Sequence, residues 1–109
     1  MKAVRKTWAK TYWARIYVAG DYHQALEACR EFAERGACVT VTKTEYVYTG
    51  GQESGVVVGL INYPRFPKEP DTIWSMAYGL GHLLLDKLHQ SSFSLETPVE
   101  TTWVSNRER

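Results

Sequence analysis

The stretch from Glu45 to Pro67, EYVYTGGQESGVVVGLINYPRFP, decides the fold. Gly50 and Gly51 accept positive φ without steric cost, so Thr49-Gly50-Gly51-Gln52 predicts a chain reversal between two strands. Gln52, Glu53 and Ser54 are poor strand formers, which extends the expected loop as far as Ser54 or Gly55. The run Val56, Val57, Val58, Gly59, Leu60, Ile61 offers apolar groups to both faces of a sheet. A strand with one face in water would alternate, so this strand is expected in the sheet centre with both faces covered. Gly59 leaves room for close approach by a helix, a ligand or another backbone. Pro64-Arg65-Phe66-Pro67 removes two amide donors and ends the strand, with Phe66 expected under a following helix.

Working outward, Tyr12 to Ala19 alternates: Tyr12, Ala14, Ile16 and Val18 share one face, and Trp13, Arg15 and Tyr17 the other. Gly20-Asp21 breaks this first strand. Asp21, with Gln24 three residues on, predicts a capped helix that runs to about Arg35 and stops at Gly36. Its apolar stripe is Tyr22, Ala25, Leu26, Cys29, Phe32 and Ala33, and Glu31 and Arg35 are spaced to pair on the solvated side. Ala37 to Tyr48 predicts a long second strand with a threonine row on one face. A second helix begins near Glu69, with Pro70 in its first turn, and ends between His89 and Ser92. Ile73, Ala77, Leu80, Leu84 and Leu88 form its core stripe, and Gly81 implies close packing on the sheet. Phe93 to Val104 predicts one last strand, with Phe93, Leu95, Val99 and Trp103 on one face and Pro98 demanding an edge or a bulge.

The order strand, helix, strand, strand, helix, strand predicts an α+β ferredoxin-like βαββαβ sandwich: a four-stranded antiparallel sheet with two helices on one face. One domain is expected over residues 12–104, behind a basic N-terminal arm (1–11) and ahead of a polar tail (105–109). The other sheet face then carries Trp13, Arg15 and Tyr17 in the open. A contiguous apolar and aromatic patch marks an interface, which predicts a homodimer or higher oligomer with a ligand cleft between copies.

Composition narrows the function. With 109 residues and a formal net charge of +1, the chain has no global field for nucleic acid or an acidic membrane. No apolar run nears the roughly 18 residues of a membrane span, and the basic start lacks a secretion signal's apolar core, so a cytoplasmic protein is expected. Cys29 and Cys38 belong to no CxxC pair and are expected as small buried apolar groups, with a disulfide between them left open. His82, Asp86 and His89 share one side of the second helix. They are expected as solvated polar groups rather than metal ligands. No GxSxG, P-loop, HExxH or GxGxxG occurs, and Ser91 and Ser92 beside His89 make a poor triad. No catalytic residue, cofactor or metal is therefore expected. The candidate ligand-binding residues are Trp13, Tyr17 and Tyr63 as stacking rings, Arg15 and Arg65 for an anion, and the turn amides of Gly50 and Gly51.

The segments ARIYVAGD, CVTVTKTEYVYTGGQESGVVVGLINYPRFP and SFSLETPVETTW resemble small uncharacterised proteins of bacteriophages and prophages. The resemblance implies a phage setting, hence the host cytoplasm, and brings no activity or functional residue with it. Together with the aromatic open face and the missing catalytic motifs, it leads to the expectation of a non-enzymatic, homo-oligomeric binding protein: a phage counter-defence factor that sequesters a nucleotide-like signal or blocks a host protein. Two alternatives stand beside it. One is an enzyme acting on a nucleotide or phosphorylated small molecule. The other is an RNA-binding module that stacks bases on the open face, disfavoured because GVVVGLINY lacks the basic-glycine-aromatic pattern of such domains.

Overall fold

The computed structural model describes residues 2–107; Met1, at the start of the basic arm, and Glu108 and Arg109, at the end of the polar tail, lie outside the described residues. The elements are β1 (Trp13–Ala19), α1 (Tyr22–Ala33), β2 (Thr40–Tyr48), β3 (Gly51–Ile61), α2 (Pro70–Leu88), β4 (Ser92–Glu96) and β5 (Thr101–Ser105). They form one antiparallel sheet in the order β2-β3-β1-β4-β5. Both helices pack on the face that carries Ala14, Ile16, Val18, Val56, Val58, Leu60, Phe93 and Leu95, and one continuous core results.

The expected four-stranded ferredoxin-like sheet is corrected to five strands. The segment expected as one final strand, Phe93 to Val104, is a hairpin. Thr97 closes it: its amide bonds the Glu100 carbonyl at 3.0 Å, and its buried hydroxyl accepts from the Val99 and Glu100 amides at 3.2 Å. Pro98 sits in the turn, where its missing donor costs nothing. The four residues of the turn also reset the alternation. Phe93 and Leu95 face the helices with Val104 as cross-strand partner of Phe93, while Trp103 pairs with Ser94 on the open face, 63% exposed. The grouping of Trp103 with Phe93 and Leu95 is thereby overturned, and β4 becomes interior while β5 takes the edge.

The β2–β3 hairpin is longer and tighter than expected. Tyr48 pairs with Gly51 across a two-residue turn of Thr49 and Gly50, with Gly50 at φ +82°. Glu53 and Ser54, expected in a loop, lie in the ladder opposite Tyr46 and Glu45. The Ser54 hydroxyl donates to the Glu45 carboxylate at 3.0 Å, and cross-strand pairing overrides weak propensity here. β1 pairs with β3 only as far as Gly55, so the outer part of this hairpin projects as a two-stranded ribbon with Val47 76% exposed at its tip.

β3 places Gly51, Gly55 and Gly59 on the open face, where neighbouring side chains fill the glycine gaps. A Cβ on Gly55 would meet the Tyr46 ring and the Val18 carbonyl oxygen, both at 2.5 Å, and one on Gly59 would meet the Thr40 hydroxyl at 2.7 Å. The approach foreseen at Gly59 is thus made by the neighbouring strand. At Gly81 of α2 an added Cβ would enter the Phe93 ring, which is the close packing that the glycine implied.

Asp21 caps α1 through the Gln24 amide at 2.9 Å, as its position predicts. The expected Glu31–Arg35 pair is replaced: Glu31 lies 3.8 Å from Lys87 of α2, and Arg35 covers the Phe32 ring at 4.6 Å. Phe66 is exposed rather than tucked under α2. Among the described residues no helix is long and apolar enough to cross a membrane.

The cysteines differ from each other. Cys29 is buried and Cys38 exposed, and both are free. Burial pushes the Cys29 thiol up to about 11, which starves it of the reactive thiolate at neutral pH. A colorimetric thiol titration at pH 8 is expected to count one cysteine in the native protein and both in guanidinium chloride. Two fast-reacting thiols in the native state would contradict this packing, and none in either state would reveal a disulfide.

Candidate functional site on the open sheet face

The side chains of β1 that turn away from the helices build the centre of the open face. Tyr17 donates its hydroxyl to Glu96 Oε1 at 2.6 Å, and a guanidinium nitrogen of Arg15 lies 3.7 Å from the same oxygen. Arg15 also covers the Trp13 ring at 4.1 Å. Glu96 reaches this cluster because β4 pairs with β1 in the register Arg15↔Glu96. The bond to Glu96, then burial, hold the Tyr17 phenol above its usual pKa, so it stays a donor at neutral pH. The second carboxylate oxygen of Glu96 accepts no protein hydrogen bond among the described residues and is free for a ligand donor.

Beside Tyr17 the face hollows into a cavity of about 330 Å³. Tyr17 and Ala19 of β1, Tyr46 and Glu53 of the ribbon, Ser92 and Ser94 of β4, and Trp103 and Arg107 contribute to its lining. The Tyr46 ring lies over Gly55 and its hydroxyl bonds the Val56 carbonyl at 2.6 Å. Burial pushes its pKa up to about 12, so this wall is a neutral ring. Arg107 Nε donates to Ser91 Oγ at 2.7 Å, which ties the guanidinium to the residue just before β4. The result is a hollow with three aromatic rings, one carboxylate and one guanidinium. That combination suits a ligand with a flat ring, a cationic centre and a carboxylate.

The structure brings Trp13, Arg15 and Tyr17 onto one face and sets Tyr63, Arg65, Gly50 and Gly51 elsewhere. Gly50 and Gly51 are at the ribbon tip. Tyr63 lies past the end of β3, where the neighbouring Cys38 thiol and then burial hold its phenol above the usual pKa. Arg65 covers Phe66 at 5.5 Å. His82 packs edge-on against Tyr78 and Phe93, and His89 closes α2 in the left-handed conformation at φ 54°. No group of three histidine, cysteine or acidic side chains gathers closely enough for a metal ion among the described residues.

Sequence reading passed over Glu96, Glu53, Tyr46, Trp103 and Arg107 as site residues. The alternation in SFSLE held a usable signal for Glu96, since polar Ser92, Ser94 and Glu96 interleave with Phe93 and Leu95. Trp103 had none, because its face depends on the length of the Thr97–Glu100 turn.

No family model matches the chain, and no curated protein matches it in sequence. Two solved structures share its fold over nearly the whole length. A phage SAM lyase in the apo state superposes with a TM-score of 0.72 at 14% identity, covering 98% of this chain and 99% of that one. A phage SAM lyase in complex with S-methyl-5'-thioadenosine gives 0.68 at 14% identity, covering 95% and 96%. The phage setting of these neighbours agrees with the resemblance drawn from sequence. These neighbours are lyases, which overturns the expected non-enzymatic binding protein in favour of its enzyme alternative; what this chain shares with them is the fold, over nearly its whole length.

Proposed function

We propose that the protein is a lyase that cleaves S-adenosylmethionine or a close sulfonium nucleoside on the open sheet face. The observation that carries this reading is the match of nearly the whole chain to SAM-lyase structures, together with an aromatic hollow beside the Tyr17–Glu96 pair.

The chemistry asks little of the protein beyond placement. The substrate's own carboxylate attacks its γ carbon, a C–O bond forms, and the bond from that carbon to sulfur breaks. The electron pair goes to sulfur, giving neutral S-methyl-5'-thioadenosine and a homoserine lactone, with no water consumed. No general base is needed, which suits a site without a poised histidine. Holding the two ends in contact replaces a rare folded conformer, and such placement is worth up to about 7–11 kcal/mol in well-oriented intramolecular reactions. Carboxylate and sulfonium cancel as the bond forms, so exclusion of water from the hollow would favour the transition state over the charged reactant. The nucleoside lies along β1 with its base on Tyr17 and its donor groups at the free oxygen of Glu96. Arg107 orients the substrate carboxylate.

A second copy laid on this face completes the exclusion of water. Its support is the exposed apolar surface of this face, with Trp103 63% exposed beside the hollow and Ile61 52% exposed at the other end of β3.

The test is incubation of purified protein with S-adenosylmethionine, followed by mass spectrometry against a protein-free blank. Equal amounts of the thioether and the lactone, with no oxygen taken up from isotopically labelled water, are expected. Substrate decaying at the blank rate would reject the assignment.

A further inference from the structure

From the walls of the hollow we infer that the site reads the positive charge of its ligand, with Glu53 and Trp103 as specificity-determining residues. This rests on the lyase reading and adds a consequence: cleavage erases the feature by which the substrate is held, so the product is released by its own chemistry.

Glu53 is the carboxylate of the hollow. It is exposed, and it forms no ion pair among the described residues, whose cross-element pairs are Arg15–Glu96 and Lys87–Glu31. Its place in the ladder opposite Tyr46 sets it at the root of the ribbon, on the same face as the Tyr46 ring. Trp103 stands across the hollow on the edge strand, paired with Ser94. An indole on one side and a phenol on the other line the hollow, and aromatic rings of this kind are what sites use for onium cations. Tyr17 and Tyr46 both stay protonated, because their pKa values are raised, so neither adds a titrating charge of its own. The cation of the hollow, Arg107, is hydrogen-bonded to Ser91 and makes no ion pair with Glu53 among the described residues, so the Glu53 charge is not cancelled by a partner. A sulfonium placed between Glu53 and the rings gains attraction that a thioether of the same shape does not.

The experiment is calorimetric titration with two stable probes of one shape: sinefungin, whose protonated amine stands where the sulfonium would, and S-adenosylhomocysteine, the neutral thioether. The unaltered protein is expected to prefer sinefungin about tenfold, a difference of about 1.4 kcal/mol. Glu53→Gln and Trp103→Ala each reduce that preference at least threefold, and Glu53→Gln leaves the affinity for S-adenosylhomocysteine within a factor of two. Equal binding of the two probes by the unaltered protein overturns the inference, as does a Glu53→Gln protein that loses both ligands alike. A protein that cleaves S-adenosylmethionine yet shows no preference defeats this inference alone. One that neither cleaves it nor binds either probe defeats the lyase reading as well.

Discussion

Phe93→Ala is expected to destabilise the protein by about 3–5 kcal/mol, the range for removing a fully buried phenylalanine. Phe93 is buried at the junction of β4 and α2, and its ring occupies the notch left by Gly81. The same geometry predicts a change of sign. In the native background Gly81→Ala forces a methyl into the Phe93 ring, and overpacking of that kind costs about 1–3 kcal/mol, more than the roughly 1 kcal/mol of helix propensity gained. In the Phe93→Ala background the notch is empty, so Gly81→Ala fills space and also favours the helix. It should then stabilise. Urea unfolding of the four proteins in this cycle measures the coupling directly. If Gly81→Ala has the same effect in both backgrounds, the ring is not what keeps position 81 a glycine.

The second large effect concerns turnover. Glu96→Ala is expected to lower kcat/KM for S-adenosylmethionine by about 10–100-fold, since hydrogen bonds to a charged group are worth about 1.5–3 kcal/mol. Most of the loss should fall on KM, because Glu96 holds the nucleoside and takes no part in bond making. Tyr17→Phe keeps the stacking surface and removes the donor to Glu96 Oε1, so its loss should be smaller, about 3–10-fold. The two changes act on one hydrogen-bonded unit, so the double variant should be no worse than Glu96→Ala within a factor of about three. Additive losses would separate the two residues into independent roles. Unchanged kinetics in Glu96→Ala would move the site off this face.

These expectations depend on register, and register separates what was legible in the chain from what was not. The positions of β1, both helices and the β2–β3 reversal followed from local chemistry. Alternation set the faces of β1, the Asp21 side chain capped α1, Pro70 opened α2, and Gly50 supplied the positive φ of the turn. Each of these signals lies within a few residues of the structure it directs.

The sheet's fifth strand did not follow in the same way. A proline inside an apolar-polar pattern reads equally as an edge, a bulge or a turn. The choice is made by whether Thr97 can fold back on Glu100 while Phe93, Leu95 and Val104 reach the core. That is a long-range packing condition. The same holds for the Tyr17–Glu96 pair, whose members are 79 positions apart in the chain and meet only because β4 docks beside β1 in one register. Composition and periodicity thus sufficed to place aromatic rings on an uncovered sheet. Only the tertiary fold brought the carboxylates beside those rings and formed the hollow, because cross-strand neighbours are chosen by the core on the opposite face.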